Sequence, residues 1–165
     1  MATEMGEYVV GAWLREIAAC DFVDYNVRPP VGGREGQVEF DVLGLDFKAG
    51  TAYLCEVATH LDGLNYGGSS NADTLQRVLA KYERQRAYAA RYLNTFKQHC
   101  FMLWSPRVPV GYLTENLAKV DGLELVINAD YSQSVDELRD RARETIRDIG
   151  NPFFRVLQIL EHLRR

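Results

Sequence analysis

Two acids constrain what this chain can fold into: Asp41, within Val-Glu-Phe-Asp-Val-Leu-Gly, and Glu56, within Ala-Tyr-Leu-Cys-Glu-Val-Ala. Both stretches have the pattern of buried strands, where a carboxylate is costly unless something pairs it. Residues 37–45 put Val38, Phe40 and Val42 on one face and Gln37, Glu39, Asp41 and Leu43 on the other; residues 51–59 put Tyr53, Cys55 and Val57 on one face and Leu54, Glu56 and Ala58 on the other. Phe47-Lys48-Ala49-Gly50 makes a hairpin turn, so the strands are neighbours and the two acids converge. Converging carboxylates repel, and a hard divalent cation relieves the repulsion by taking oxygen ligands. Such an ion can polarise a phosphodiester and activate water. For either acid alone, an ion pair with Arg28 or Arg34 is the better reading. For both in one hairpin, the metal is.

Around the hairpin the chain alternates helix and strand. Val9, Val10, Trp13, Leu14 and Ile17 predict a first helix over about 4–20, followed by a turn-and-strand segment at 21–25 and a loop marked by Pro29-Pro30 and Gly32-Gly33. After a Gly-, Asn- and Ser-rich loop at 61–71, Asn71 or Asp73 is expected to cap a long helix over about 74–97. Strands at 100–104 and 123–128 enclose a short helix at 111–119. Ser134 with Glu137 reads as a capping box, Gly150 as a stop, and Asn151-Pro152 as the start of a last helix. The order is that of an α/β sheet covered by helices.

Composition narrows the function classes. The chain has 165 residues, 47% hydrophobic and 25% charged, which suits one domain with a buried core. No run approaches the roughly 20 apolar residues of a membrane span. The N-terminus lacks a signal-peptide pattern, so the expected compartment is the cytoplasm. Cys20, Cys55 and Cys100 lack metal-ligand spacing and read as free, buried thiols. Phosphate-cradling glycine loops and nucleophile elbows are absent, which argues against a metabolic hydrolase or transferase.

These residues carry a resemblance. Gly6-Glu7 with Ala12 and Leu14, Asn26-Val27-Arg28, Val38-Glu39-Phe40-Asp41-Val42, Leu54-Cys55-Glu56-Val57, Lys81 with Arg84, and Ala89-Ala90 with Tyr92-Leu93 together resemble the PD-(D/E)xK, or restriction-endonuclease-like, nuclease superfamily. Within it the chain is most similar to small proteins related to Holliday-junction resolvases, over about residues 5–93. The resemblance implies a mixed central sheet flanked by helices, with a nuclease-like core over about 4–130 and a C-terminal helical extension over about 134–165 in one domain. It also implies that Glu7, Asp41 and Glu56 bind Mg²⁺ or Mn²⁺, and that the substrate is DNA, branched or damaged forms included.

The chain departs from the family pattern at one position. Acid-x-Lys reads here Glu56-Val57-Ala58. The lysine would share a strand face with Glu56, position water and offset phosphate charge; Ala58 does neither. Thr59 points the other way, and His60 lies two residues too far. Some members of the superfamily supply this lysine from another element. Lys81 on the long helix is the better candidate, ahead of Lys48 in the hairpin turn. Glu7 could equally serve the helix dipole, and Glu39 could equally be a solvated edge acid.

The same helix carries Arg77, Lys81, Arg84, Arg86, Arg91 and Lys97 against Glu83, interleaved with Tyr82, Tyr88 and Tyr92. That composition suits phosphate contacts despite a net charge of −4, and it suits equally a solvated helix packed through its tyrosines. Gln85 fits the helix glutamine of some recombination nucleases poorly. The apolar last helix, Phe153 to Leu163, is expected to cap the core or to pair two copies as a homodimer. Two functions remain open: a metal-dependent nuclease with Asp41, Glu56 and Lys81 as catalytic residues, Glu7 assisting and Arg77, Lys81 and Arg84 on nucleic acid, or a degenerate relative that binds nucleic acid or a protein without cutting.

Overall fold

The period-two patterns become a meander. In the computed structural model, which describes residues 2–30, 39–66, 68 and 70–164, β1 (Phe22–Val27), β2 (Phe40–Asp46) and β3 (Thr51–Val57) run antiparallel in succession. The Phe47–Gly50 turn closes the hairpin, with Gly50 at φ +71° donating its N–H to the Asp46 carbonyl. Then α2 (Asn71–Tyr92) crosses over, so β4 (Gln98–Ser105) lies parallel to β3, and β5 (Leu123–Ile127) lies parallel to β4. The chain is thus an α/β protein with a five-stranded mixed sheet in the order β1-β2-β3-β4-β5. Val38 and Arg34 lie outside the described residues.

Alternation along the strands feeds two apolar layers. Val42, Cys55, Met102, Trp104 and Val126 face α1 (Met5–Glu16), α4 (Ala129–Glu144) and α5 (Pro152–Leu163). Leu43, Leu54 and Leu103 face α2 and α3 (Tyr112–Leu117), where Val78, Ala89, Leu113 and Leu117 cover them. The segment from 134 onward, expected as an appended extension, helps to build the core: Leu138, Ala142 and Phe154 are fully buried in the layer that contains Trp104. The outer side of α5 leaves Val156, Ile159, Leu160 and Leu163 half or more exposed.

Several helix ends differ from expectation. α1 stops near Glu16 because Ala19 adopts a left-handed φ of 57° and the Cys20 N–H turns back to the Leu14 carbonyl. The cap of α2 is Ser70, whose hydroxyl accepts the Asp73 N–H while the Asp73 carboxylate accepts the Ser70 N–H; Asn71 is already helical. The expected box at Ser134 is not a helix start. α4 begins at Ala129, directly after β5, and Ser134 donates to the Asp130 carbonyl within it, while Glu137 accepts the Trp13 indole N–H. α4 ends at Glu144, with Gly150 in the loop that follows, and Asn151 caps α5 ahead of Pro152 as expected. Cys20 and Cys55 are buried free thiols, and Cys100 is half-buried. Among the described residues no helix is long and apolar enough to cross a membrane.

Candidate active site

The hairpin register sets the centre of the site. Val42 pairs with Cys55 and Leu43 with Leu54, which places Asp41 opposite Glu56. On the other side, Tyr25 pairs with Val42 and Val27 with Phe40, which places Asn26 opposite Asp41. Asp41 and Glu56 share the sheet face covered by α2, as Leu43 and Leu54 do. They do converge, close enough for the charge of Asp41 to raise the Glu56 carboxyl.

The environment favours the neutral forms of both acids. Burial pushes the Glu56 carboxyl up to about 7, the charge of Asp41 adds to that, and Lys81 opposes it. Burial also raises Asp41, opposed by a 2.7 Å hydrogen bond in which the Val57 N–H donates to Asp41 Oδ2. Lys81 and the Val57 N–H relieve the pair only in part, and both carboxyls stay raised.

Lys81 comes from across the layer. α2 lies beside β3, and the Lys81 amine donates to Glu56 Oε1 in an ion pair. The Tyr66 hydroxyl donates to the same oxygen at 3.3 Å, and its ring centroid lies 5.0 Å from Lys81 Nζ. Ala58 could not have served: its side chain is buried with Leu64, Val78 and Leu103, so apolar packing fills the space a lysine would need. His60 is exposed beside the Tyr66 ring, and Lys48 is exposed at the turn.

Glu7 enters from α1. Gly6 lets the start of this helix press against the residue two places beyond β3, since a Cβ there would stand 1.7 Å from Thr59 Oγ1. Glu7 is buried, and its Oε2 accepts the Glu4 N–H at 3.1 Å and the Asn26 amide at 3.3 Å. Burial raises its carboxyl, and the charge of Asp41 contributes. Asn26 adopts a left-handed φ of 52°, a conformation that asparagine tolerates better than most residues. Among the described residues no group of three or more His, Cys, Asp or Glu side chains is placed to hold a metal ion, so Glu7 does not join the other two acids as a third ligand in this arrangement.

A cleft of about 350 Å³ opens over the acids, lined by Glu7, Asn26, Asp41, Glu56, Lys81 and Arg84; Glu4, Glu39 and Phe40 line it as well. Arg77 is not in it; its guanidinium donates to the Tyr66 carbonyl at 3.2 Å. Glu39 pairs with Arg28 through Oε2 at 2.9 Å. Gln85 is fully buried under the helix and does not line the cleft. The sequence reading missed Tyr66, a single aromatic in a Gly- and Ser-rich loop with no periodic signal, and it gave Asn26 no role.

No known protein family, characterised protein or solved structure matches the chain.

Proposed function

We propose that the chain is a metal-dependent nuclease of the restriction-endonuclease-like type acting on DNA. One observation carries the reading: the Lys81 amine, delivered by α2, stands on Glu56 beside Asp41, so acid, acid and lysine share one cleft although the position two residues past Glu56 is Ala58. The donors suit Mg²⁺ or Mn²⁺, since Asp41 and Glu56 offer only oxygen and burial beside each other leaves both carboxyls raised. Asp41 and Glu56 would hold the ion, with Glu7 lining the same cleft. When bound, it supplies Lewis-acid polarisation of the phosphodiester and a more acidic water. Lys81 offsets charge that builds on the phosphoryl oxygens as the water oxygen bonds to phosphorus and the ester oxygen leaves. Arg84 contacts a neighbouring phosphate, and Arg77 secures the Tyr66 loop from outside the cleft. Two copies pair through the exposed side of α5, where Val156, Ile159, Leu160 and Leu163 repeat at helical spacing.

The test is cleavage of linear, single-stranded and branched DNA with Mg²⁺ or Mn²⁺, beside Asp41→Ala and Glu56→Ala. Loss of activity in both variants is expected, and activity that survives both substitutions excludes the site. A second reading, nucleic-acid binding without cleavage, is favoured by the direct neutralisation of Glu56 by Lys81. It predicts no cutting by the wild type under any of these conditions.

A further inference from the structure

We propose that the cleft takes a single nucleic-acid strand laid along α2, with phosphates against Lys81 and Arg84 and an unpaired base stacked on Tyr92. This rests on the preceding reading for what happens at Lys81, and it adds the form of the substrate.

The first support is the placement of side chains on α2. Arg77, Lys81, Arg84, Tyr88 and Tyr92 follow one another at intervals of three or four residues, so they share one side of the helix. At 1.5 Å per residue the stripe is roughly 22 Å long. It is cationic where it borders the acids and aromatic where it leaves them.

The second support is the continuity of the aromatic half with the cleft. Phe40 lines the cleft, and its ring centroid lies 4.6 Å from that of Tyr88, which lies 4.8 Å from that of Tyr92. Tyr92 is 37% exposed, and the Arg91 guanidinium lies 5.3 Å from its ring centroid. An aromatic platform beside cations binds bases through their faces, which are free only when the strand is unpaired.

The third support is the rest of the cleft lining. Glu4 and Glu7, at the start of α1, and Glu39, just before β2, also line the cleft and do not belong to α2, and Arg28 pairs with Glu39. One phosphate backbone along α2 meets Arg84 and Lys81, the latter shared with Glu56, whereas a second backbone away from the helix would meet carboxylates alone. The cleft volume, about 350 Å³, also sits at the small end of ligand pockets, roughly 300–1,000 Å³.

The experiment is fluorescence anisotropy with labelled oligothymidylate, oligouridylate and a duplex of the same length, in EDTA and over a series of salt concentrations. The expected result is single-strand binding at least about tenfold tighter than duplex binding. Tyr92→Ala should weaken it about tenfold without changing the slope of log K against log salt, and Tyr92→Trp should restore it. Arg84→Ala should reduce that slope by about 0.7. Circular dichroism confirms that each variant is folded. Both oligonucleotides present the same phosphodiester strand, and the tighter of the two identifies the source as DNA or RNA. Duplex binding as tight as single-strand binding overturns the proposal, as does a folded Tyr92→Ala that binds like wild type. Tight single-strand binding without cleavage in Mg²⁺ or Mn²⁺ sinks the nuclease reading alone. Duplex cleavage without single-strand preference sinks this one alone.

Discussion

Asp41 and Val57 lie on adjacent strands, and the carboxylate of the first accepts the backbone N–H of the second at 2.7 Å. A side chain therefore serves as acceptor at the end of the β2–β3 ladder, one residue past Glu56. Asp41→Asn keeps an acceptor oxygen, whereas Asp41→Ala leaves the N–H without one. We expect Asp41→Ala to lose about 1–3 kcal/mol in urea denaturation and Asp41→Asn clearly less. In the Asp41→Asn variant the Glu56 carboxyl should titrate below its wild-type value of about 7, because the charge of Asp41 raises it. Equal losses in the two variants would show that the bond contributes nothing.

The raised Glu56 carboxyl makes stability depend on pH. Its value rises from 4.5 in the unfolded chain to about 7 in the folded one, so the folded state holds a proton that the unfolded state has released. The contribution is fully present below pH 4.5 and is lost as pH rises through about 7. Without divalent ions, this group should make the protein less stable at pH 8 than at pH 5 by on the order of 2 kcal/mol. Glu56→Gln should remove this dependence, and Mn²⁺ should bind more tightly as pH rises toward about 7. Denaturation curves and Mn²⁺ calorimetry at several pH values check both, and Mn²⁺ affinity that is flat across this range would contradict the assignment.

Lys81→Met should lower cleavage by about 10²–10³-fold with the fold retained. Adding Ala58→Lys should not rescue it, because position 58 is packed against Leu64, Val78 and Leu103. That substitution alone should cost roughly 2–3 kcal/mol. Recovery of activity in the double variant would show that the strand position is open to a lysine after all.

The exposed stripe on α5 predicts a dimer in light scattering. Leu160→Glu with Leu163→Glu should yield a folded monomer, since both side chains are half or more exposed and neither supports the core. A wild-type chain that is monomeric at high concentration removes this contact.

The central hairpin was legible because period-two alternation specifies register as well as strand: one slip would have turned Asp41 and Glu56 away from α2. Lys81 was legible as a candidate, since a helix that covers the acids must bring some of its side chains near them. The helix ends at Ala19 and Asn128 were not, because both take a left-handed conformation without the glycine that usually announces one. Tyr66 was hidden for a related reason: its contacts with Glu56 and Lys81 depend on how a loop folds back, which local periodicity does not encode.

Ala58 in the apolar layer has a consequence for how activity would fail. A lysine on the same strand as its glutamate would be held by the sheet itself. Lys81 is held only as firmly as α2 is seated, through Val78, Tyr82, Gln85 and Ala89. The Gln85 amide nitrogen is buried there without a hydrogen-bond partner among the described residues, a weak point in that seat. A substitution that loosens α2 at Val78 or Ala89 should therefore displace the lysine and lower cleavage, a vulnerability that a lysine carried by the strand would not share.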